Sequence, residues 1–162
     1  MNKLTFNALR GPMVAALVSV ATLGCSTSDG SEDQLMVGPI SQVELISKES
    51  TFATKYQAYT VAAEDKAMVD TWPKDISVDV YFGTWCHDSQ REVPRFLKLI
   101  AGKNINYQLI ALNYEKQDLE GLATANNIKR TPTFVVKQQG KEVGRIIEIP
   151  KVSIAADITA MF

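Results

Sequence analysis

An α/β domain, with a central mixed β-sheet flanked by helices, is predicted by three observations. First, Ile76-Ser77-Val78-Asp79-Val80-Tyr81-Phe82 is a β-favouring run that stops at Gly83-Thr84. It passes directly into a segment whose apolar residues Val93, Phe96, Leu97 and Ile100 recur at helical spacing. Second, residues 107–113 form a nearly continuous apolar run, as in a strand covered on both faces. Third, the runs 133–137 and 142–148 flank Gln138-Gln139-Gly140-Lys141, a glycine-containing hairpin turn. Strands separated by helices, closed by a hairpin, give a mixed sheet.

In chain order, residues 1–24 stand apart. Lys3 and Arg10 are their only charges, and the apolar run from Met13 to Leu23, interrupted by Ser19 and Thr22, is too short to span a bilayer. This is the pattern of a signal peptide. Its end, Ala21-Thr22-Leu23-Gly24-Cys25, resembles a bacterial lipobox, which implies lipidation at Cys25; ordinary cleavage is the alternative. Residues 25–38 then read as a lipidated tether, polar and acidic over 26–34, and residues 39–162 as the domain. Ser26 after the cysteine resembles an enterobacterial sorting pattern. The implied location is the cell envelope, as a periplasm-facing lipoprotein, with the outer membrane favoured over the inner.

Within the domain, residues 40–46 alternate as an opening strand, and Ser47 to Ser50 turn into a helix holding Phe52, Tyr56 and Tyr59. A second helix is expected from about Ala63 to Trp72, with Ala67, Met68 and Trp72 inward, stopped by Pro73. The strand 76–82 and the helix after it follow, the helix running to about Ala101 before Gly102, with a bend at Pro94. After the strand at 107–113, a helix over 117–126 points Leu119, Leu122 and Ala123 inward; beyond the hairpin, Pro150-Lys151 open a last helix to Phe162. Asp79 is either on a solvated edge or a buried acid near the thiol.

The full chain carries a net charge of −1, or −3 once Lys3 and Arg10 leave with the signal peptide. That balance, without a basic cluster, argues against nucleic acid. With no cluster of histidines and cysteines, no phosphate-binding glycine loop and no serine-nucleophile motif, neither a metal nor a cofactor is expected.

The chemistry centres on Cys86. Strand, tight turn and helix place it at a helix N-terminus, where unpaired N–H groups and the helix dipole favour a thiolate over a thiol. Lipidation of Cys25 would leave Cys86 as the one free thiol, unable to form an internal disulfide. His87 is either a tuner of that thiolate or a surface residue, and Asp88 acts in the opposite electrostatic sense.

Trp85-Cys86-His87-Asp88-Ser89 resembles the Trp-Cys-x-x-Cys site of thioredoxin-fold proteins, with serine replacing the second cysteine. Glu92 and Pro94 extend the resemblance to the Cys-x-x-Cys-x-x-Glu-x-Pro pattern of TlpA-like, membrane-tethered thiol–disulfide oxidoreductases. Arg130-Thr131-Pro132-Thr133-Phe134 resembles the cis-proline loop that faces the cysteine in that fold. The resemblance covers residues 76–149. It implies Cys86 as nucleophile, Glu92 in proton transfer, and a cis Thr131–Pro132 bond exposing Thr131 backbone groups to an extended substrate; otherwise Glu92 is an acid that the helix dipole favours near the helix start and Pro132 a strand-entry proline. Ser89 cannot attack a mixed disulfide as a second thiol would; it either hydrogen-bonds the Cys86 sulfur or is a polar residue of the first turn.

Two functions follow as expectations. One is a monothiol thiol–disulfide exchange protein whose partners are protein or small-molecule thiols and disulfides. The other is a thioredoxin-fold binding module that captures extended or thiol-containing partners without turnover.

Overall fold

The computed structural model describes residues 35–162. The expected signal peptide, Cys25 and the tether up to residue 34 lie outside the described residues. No helix among the described residues is long and apolar enough to cross a membrane.

The chain runs β1 (Gly38–Ile40), α1 (Gln42–Lys48), α2 (Ser50–Ala58), α3 (Ala63–Val69), β2 (Ile76–Phe82), α4 (His87–Leu99), β3 (Asn106–Ala111), α5 (Leu122–Ala125), β4 (Thr133–Gln138), β5 (Lys141–Ile147) and α6 (Ile154–Thr159). The sheet order is β1-β3-β2-β4-β5. Only β2 and β3 are parallel, joined through α4; the other pairs are antiparallel. The expected α/β domain with a mixed sheet is therefore the one observed, and β2 occupies the predicted span at its centre.

Strand alternation divides the core. Val78, Val80, Phe82, Leu109, Ala111, Phe134 and Val136 join Phe52, Val93, Phe96 and Leu97 from α2 and α4 in the larger cluster. Tyr81, Ile110, Leu112 and Val135 face the other way, onto Ala123 and Ile128. Because α5 is only four residues long, it covers only part of that second face. The N-terminal half of β3 is exposed, contrary to the expectation of a strand covered throughout.

Several expected elements are corrected. The strand over 40–46 stops at Ile40, because the Ser41 hydroxyl accepts the Glu44 N–H at 3.1 Å and caps α1. Ser-x-x-Glu is a helix-start signal that outweighs the apolar alternation. In α3 it is Val69 that is buried, while Ala67 is exposed; Trp72 lies in the turn beyond and reaches back, its Nε1 donating to Thr159 Oγ1 at 2.9 Å. The helix over 117–126 shrinks to α5 because the Asp118 carboxylate accepts the N–H groups of Glu120, Leu122 and Ala123 and fixes a loop, leaving Leu119 87% exposed. The last helix begins at Ile154, not at Pro150. Ser153 caps it, and the Asp157 carboxylate holds the Lys151 and Val152 N–H groups in a preceding loop.

Pro94 is buried inside α4, which runs through it to Leu99. The expected hairpin forms with Gln139 and Gly140 at φ 52° and 76°, the left-handed pair that a two-residue turn between twisted strands requires.

Candidate active site around Cys86

Sheet order places the end of β2 between β3 and β4, so the turn leaving β2 is flanked by both neighbours. The turn is tight: the Cys86 N–H donates to the Gly83 carbonyl at 3.1 Å. Cys86 is the N-cap of α4, with extended backbone and a carbonyl that accepts the Gln90 N–H at 2.9 Å. Its side chain caps nothing, so the amides of the first helical turn remain available to a charged sulfur. The thiol is half-buried and free.

On the β4 side the sulfur meets the second predicted motif. Cys86 Sγ donates to the Thr131 carbonyl at 3.1 Å, and the Thr131–Pro132 bond is cis, as expected. The loop is held from below: the Pro132 carbonyl accepts the Glu148 N–H at 2.7 Å, and Thr133 Oγ1 donates to the Arg130 carbonyl at 2.7 Å. Two segments 45 residues apart thus meet at one sulfur. The Thr131 carbonyl expected to face a substrate is occupied by the thiol proton, and deprotonation of Cys86 would release it.

On the β3 side the site is aromatic. Trp85 Nε1 donates to the Leu112 carbonyl at 3.1 Å, and the Tyr114 ring lies 5.2 Å from the indole. The indole packs so closely over Gly83 that a Cβ there would come within 2.5 Å of it. Glycine at 83 is required by that approach. Ser89 is fully buried one turn into α4, and its hydroxyl accepts the Gly83 N–H at 3.3 Å. Of the two readings for Ser89, the observed bond is to the turn backbone and not to sulfur.

A thioredoxin family model matches residues 43–160 of the chain. The chain belongs to the thioredoxin family. Among curated proteins it is 27% identical, over 85 residues, to the thioredoxin-like protein R548 of Acanthamoeba polyphaga mimivirus. That match takes in 52% of this chain and 61% of the relative, so the chain spans only about three fifths of the relative's length. Among solved structures, an HIV epitope-scaffold aligns with a TM-score of 0.61 at 13% identity, over 76% of this chain and 92% of that one. A Pseudomonas aeruginosa protein of unknown function aligns at 0.60 and 12%, over 76% and 91%. At such identities these two speak for the fold alone.

In this thioredoxin-family chain the remaining predicted residues divide. His87 is exposed at the first position of α4, and Asp88 pairs with Arg91 at 2.7 Å. Glu92 is buried, with Oε1 accepting from Arg91 at 2.6 Å and Arg95 at 3.1 Å, and with Oε2 unpartnered. Its bonds are to arginines, not to Cys86. Asp79 is neither of the expected alternatives: it sits on the central strand and pairs across it with Lys137. Among the described residues no cluster of three or more His, Cys, Asp or Glu could hold a metal. Sequence reasoning passed over Tyr114 and Lys116, the latter with its Nζ 5.7 Å from the Trp85 ring. Their only sequence signal was nearness to strand ends beside the cysteine turn.

Proposed function

We propose that this chain is an exported, envelope-located thiol–disulfide exchange protein, TlpA-like in its membrane tethering through Cys25, that works through the single thiol of Cys86. The observation that carries the reading is the meeting of Cys86 Sγ, at the N-cap of α4, with the cis-Pro132 loop. The thiolate attacks a disulfide, forms a mixed disulfide and expels the other sulfur as a thiolate. Ser89 cannot resolve the adduct, so a second, external thiol attacks it and restores Cys86. The partners are protein or small-molecule thiols and disulfides, and the steps need no cofactor. The amides of α4 stabilise the sulfur anion as attacker and as leaving group. Turnover of a disulfide with added thiol should vanish in Cys86→Ala; turnover retained in that variant overturns the proposal.

Ser89 also supports a second reading. With its hydroxyl committed to Gly83 and no other cysteine among the described residues, the chain would hold partners at the Pro132 loop without catalysis. In that case Cys86→Ala keeps partner affinity.

A further inference from the structure

We propose that the disulfide captured by Cys86 carries a carboxylate close to the attacked sulfur, and that Lys116 selects it. The inference rests on the thiol-exchange reading above and names its substrate class.

Lys116 is held in place by its loop. The Asn113 N–H donates to the Gln117 carbonyl at 3.0 Å, the Lys116 N–H donates to the Asn113 carbonyl at 2.9 Å, and Asn113 Oδ1 accepts the Gln117 N–H at 2.8 Å. Lys116 itself sits at φ 63°, a region lysine rarely adopts, which the closed loop imposes. Its ammonium lies over the indole of the residue preceding the nucleophile, beside Tyr114, which is 63% exposed. Two arginines near the turn are neutralised: Arg91 by Asp88 and Glu92, and Arg130 by Glu148 at 2.6 Å. Lys116 forms no ion pair among the described residues, and the adjacent Glu115 is exposed without one. A contact with an aromatic face leaves the ammonium charge able to attract an anion. With the Pro132 loop meeting the sulfur and a cation over the indole of the preceding residue, the site discriminates by charge.

In the reaction, the Cys86 thiolate attacks the carboxylate-bearing sulfur of R–S–S–R′. The Cys86–S–R bond forms as the S–S bond breaks, and R′S⁻ leaves with the electron pair. A low-molecular-weight thiol R″SH then gives R–S–S–R″ and regenerates Cys86, with no net oxidation.

The test uses the reduced full chain and the symmetric disulfides of mercaptoacetate, mercaptoethanol and cysteamine, which are anionic, neutral and cationic. Peptide-level mass spectrometry gives the rate of adduct formation at Cys86 for the native chain, Lys116→Gln and Lys116→Glu. Each rate is referred to that of mercaptoethanol disulfide in the same protein, so a general loss of reactivity cancels. The anionic-to-cationic rate ratio should fall about two- to fivefold in Lys116→Gln, the scale of an exposed ion pair, and further in Lys116→Glu. Salt at about 0.5 M should erase most of the difference. Equal ratios in all three proteins, with every disulfide reacting at Cys86, overturn this inference alone. Failure of all three disulfides to react at Cys86 of the native chain overturns the exchange reading, and this inference with it.

Discussion

Replacing Ser89 by cysteine should convert the site from one that waits for an external thiol into one that resolves its own adduct. Positions 86 and 89 are the N-cap and third residue of α4. Residues three apart on a helix have their Cα atoms about 5 Å apart, within the range of about 4.4–6.8 Å that a disulfide spans. Two terms of opposite sign set the stability. In the reduced variant a thiol replaces the hydroxyl that accepts the Gly83 N–H at 3.3 Å, inside a fully buried position, which should cost about 1 kcal/mol. In the oxidised variant a closed loop of about four residues restrains the unfolded chain by about 2 kcal/mol. Urea unfolding of Ser89→Cys should therefore place the reduced form about 1 kcal/mol below the native chain and the oxidised form about 1 kcal/mol above it. Intact mass should show the loss of two hydrogens on oxidation. A mixed disulfide at Cys86 should be discharged, without added thiol, at least about a hundredfold faster than in the native chain, because the second attack becomes intramolecular. The reasoning is refuted if no internal disulfide forms and the adduct lives as long as before, since Ser89 would then not occupy the resolving position.

Three further outcomes follow from local geometry. Gly83→Ala drives a methyl to within 2.5 Å of the Trp85 indole and should break its bond to the Leu112 carbonyl, a loss of about 2–3 kcal/mol in urea unfolding. The loss should shrink sharply in a Trp85→Ala background, and additive effects in that double-mutant cycle would contradict the packing. Burial first, then Asp79 and Asp118, push the Tyr81 hydroxyl up to about 12 from its ordinary 10.0. The neutral phenol is the form the fold favours, so its contribution is complete below pH 10 and about 2–3 kcal/mol is lost as pH rises to about 12. An ultraviolet phenolate titration in which all tyrosines ionise by pH 11 with the fold intact would count against it. Burial works against the Asp118 carboxylate, but the N–H groups of Ala123, Leu122 and Glu120 outweigh it and hold its pKa below the ordinary 3.8. Its contribution is thus present above that value and is lost as pH falls through the depressed folded one. Asp118→Asn should cost about 1 kcal/mol at neutral pH and flatten the stability profile below about pH 4; an unchanged acid profile would contradict it.

The site was legible wherever its residues announced backbone geometry. A β-branched run cut by Gly83-Thr84 and followed by helical spacing located β2, the turn and Cys86 at the head of α4. Thr131-Pro132 stood out by resemblance as the facing loop, although only the tertiary fold brings its carbonyl to sulfur. Illegible features were those set by side-chain capping or by contact across the sheet. Ser41 turned an apolar alternation into a helix, and Asp118 and Asp157 drew backbone N–H groups into loops where apolar spacing suggested helix. Glu92 matched a motif, yet its carboxylate went to Arg91 and Arg95, which sequence spacing alone did not distinguish from a role beside sulfur. Lys116 lies 31 positions from Trp85 in the sequence, with α4 and β3 between them; its place over the indole follows from the loop closed by Asn113.

The most direct test of the central claim is a time course of the Cys86 adduct. The reduced full chain is mixed with a peptide disulfide, first without and then with a low-molecular-weight thiol, and Cys86 is followed by peptide-level mass spectrometry. The account predicts that one mixed disulfide accumulates at Cys86, persists, and is discharged only when the thiol is added. Absence of an adduct at Cys86, or its discharge with no thiol present, would contradict exchange through a single thiol.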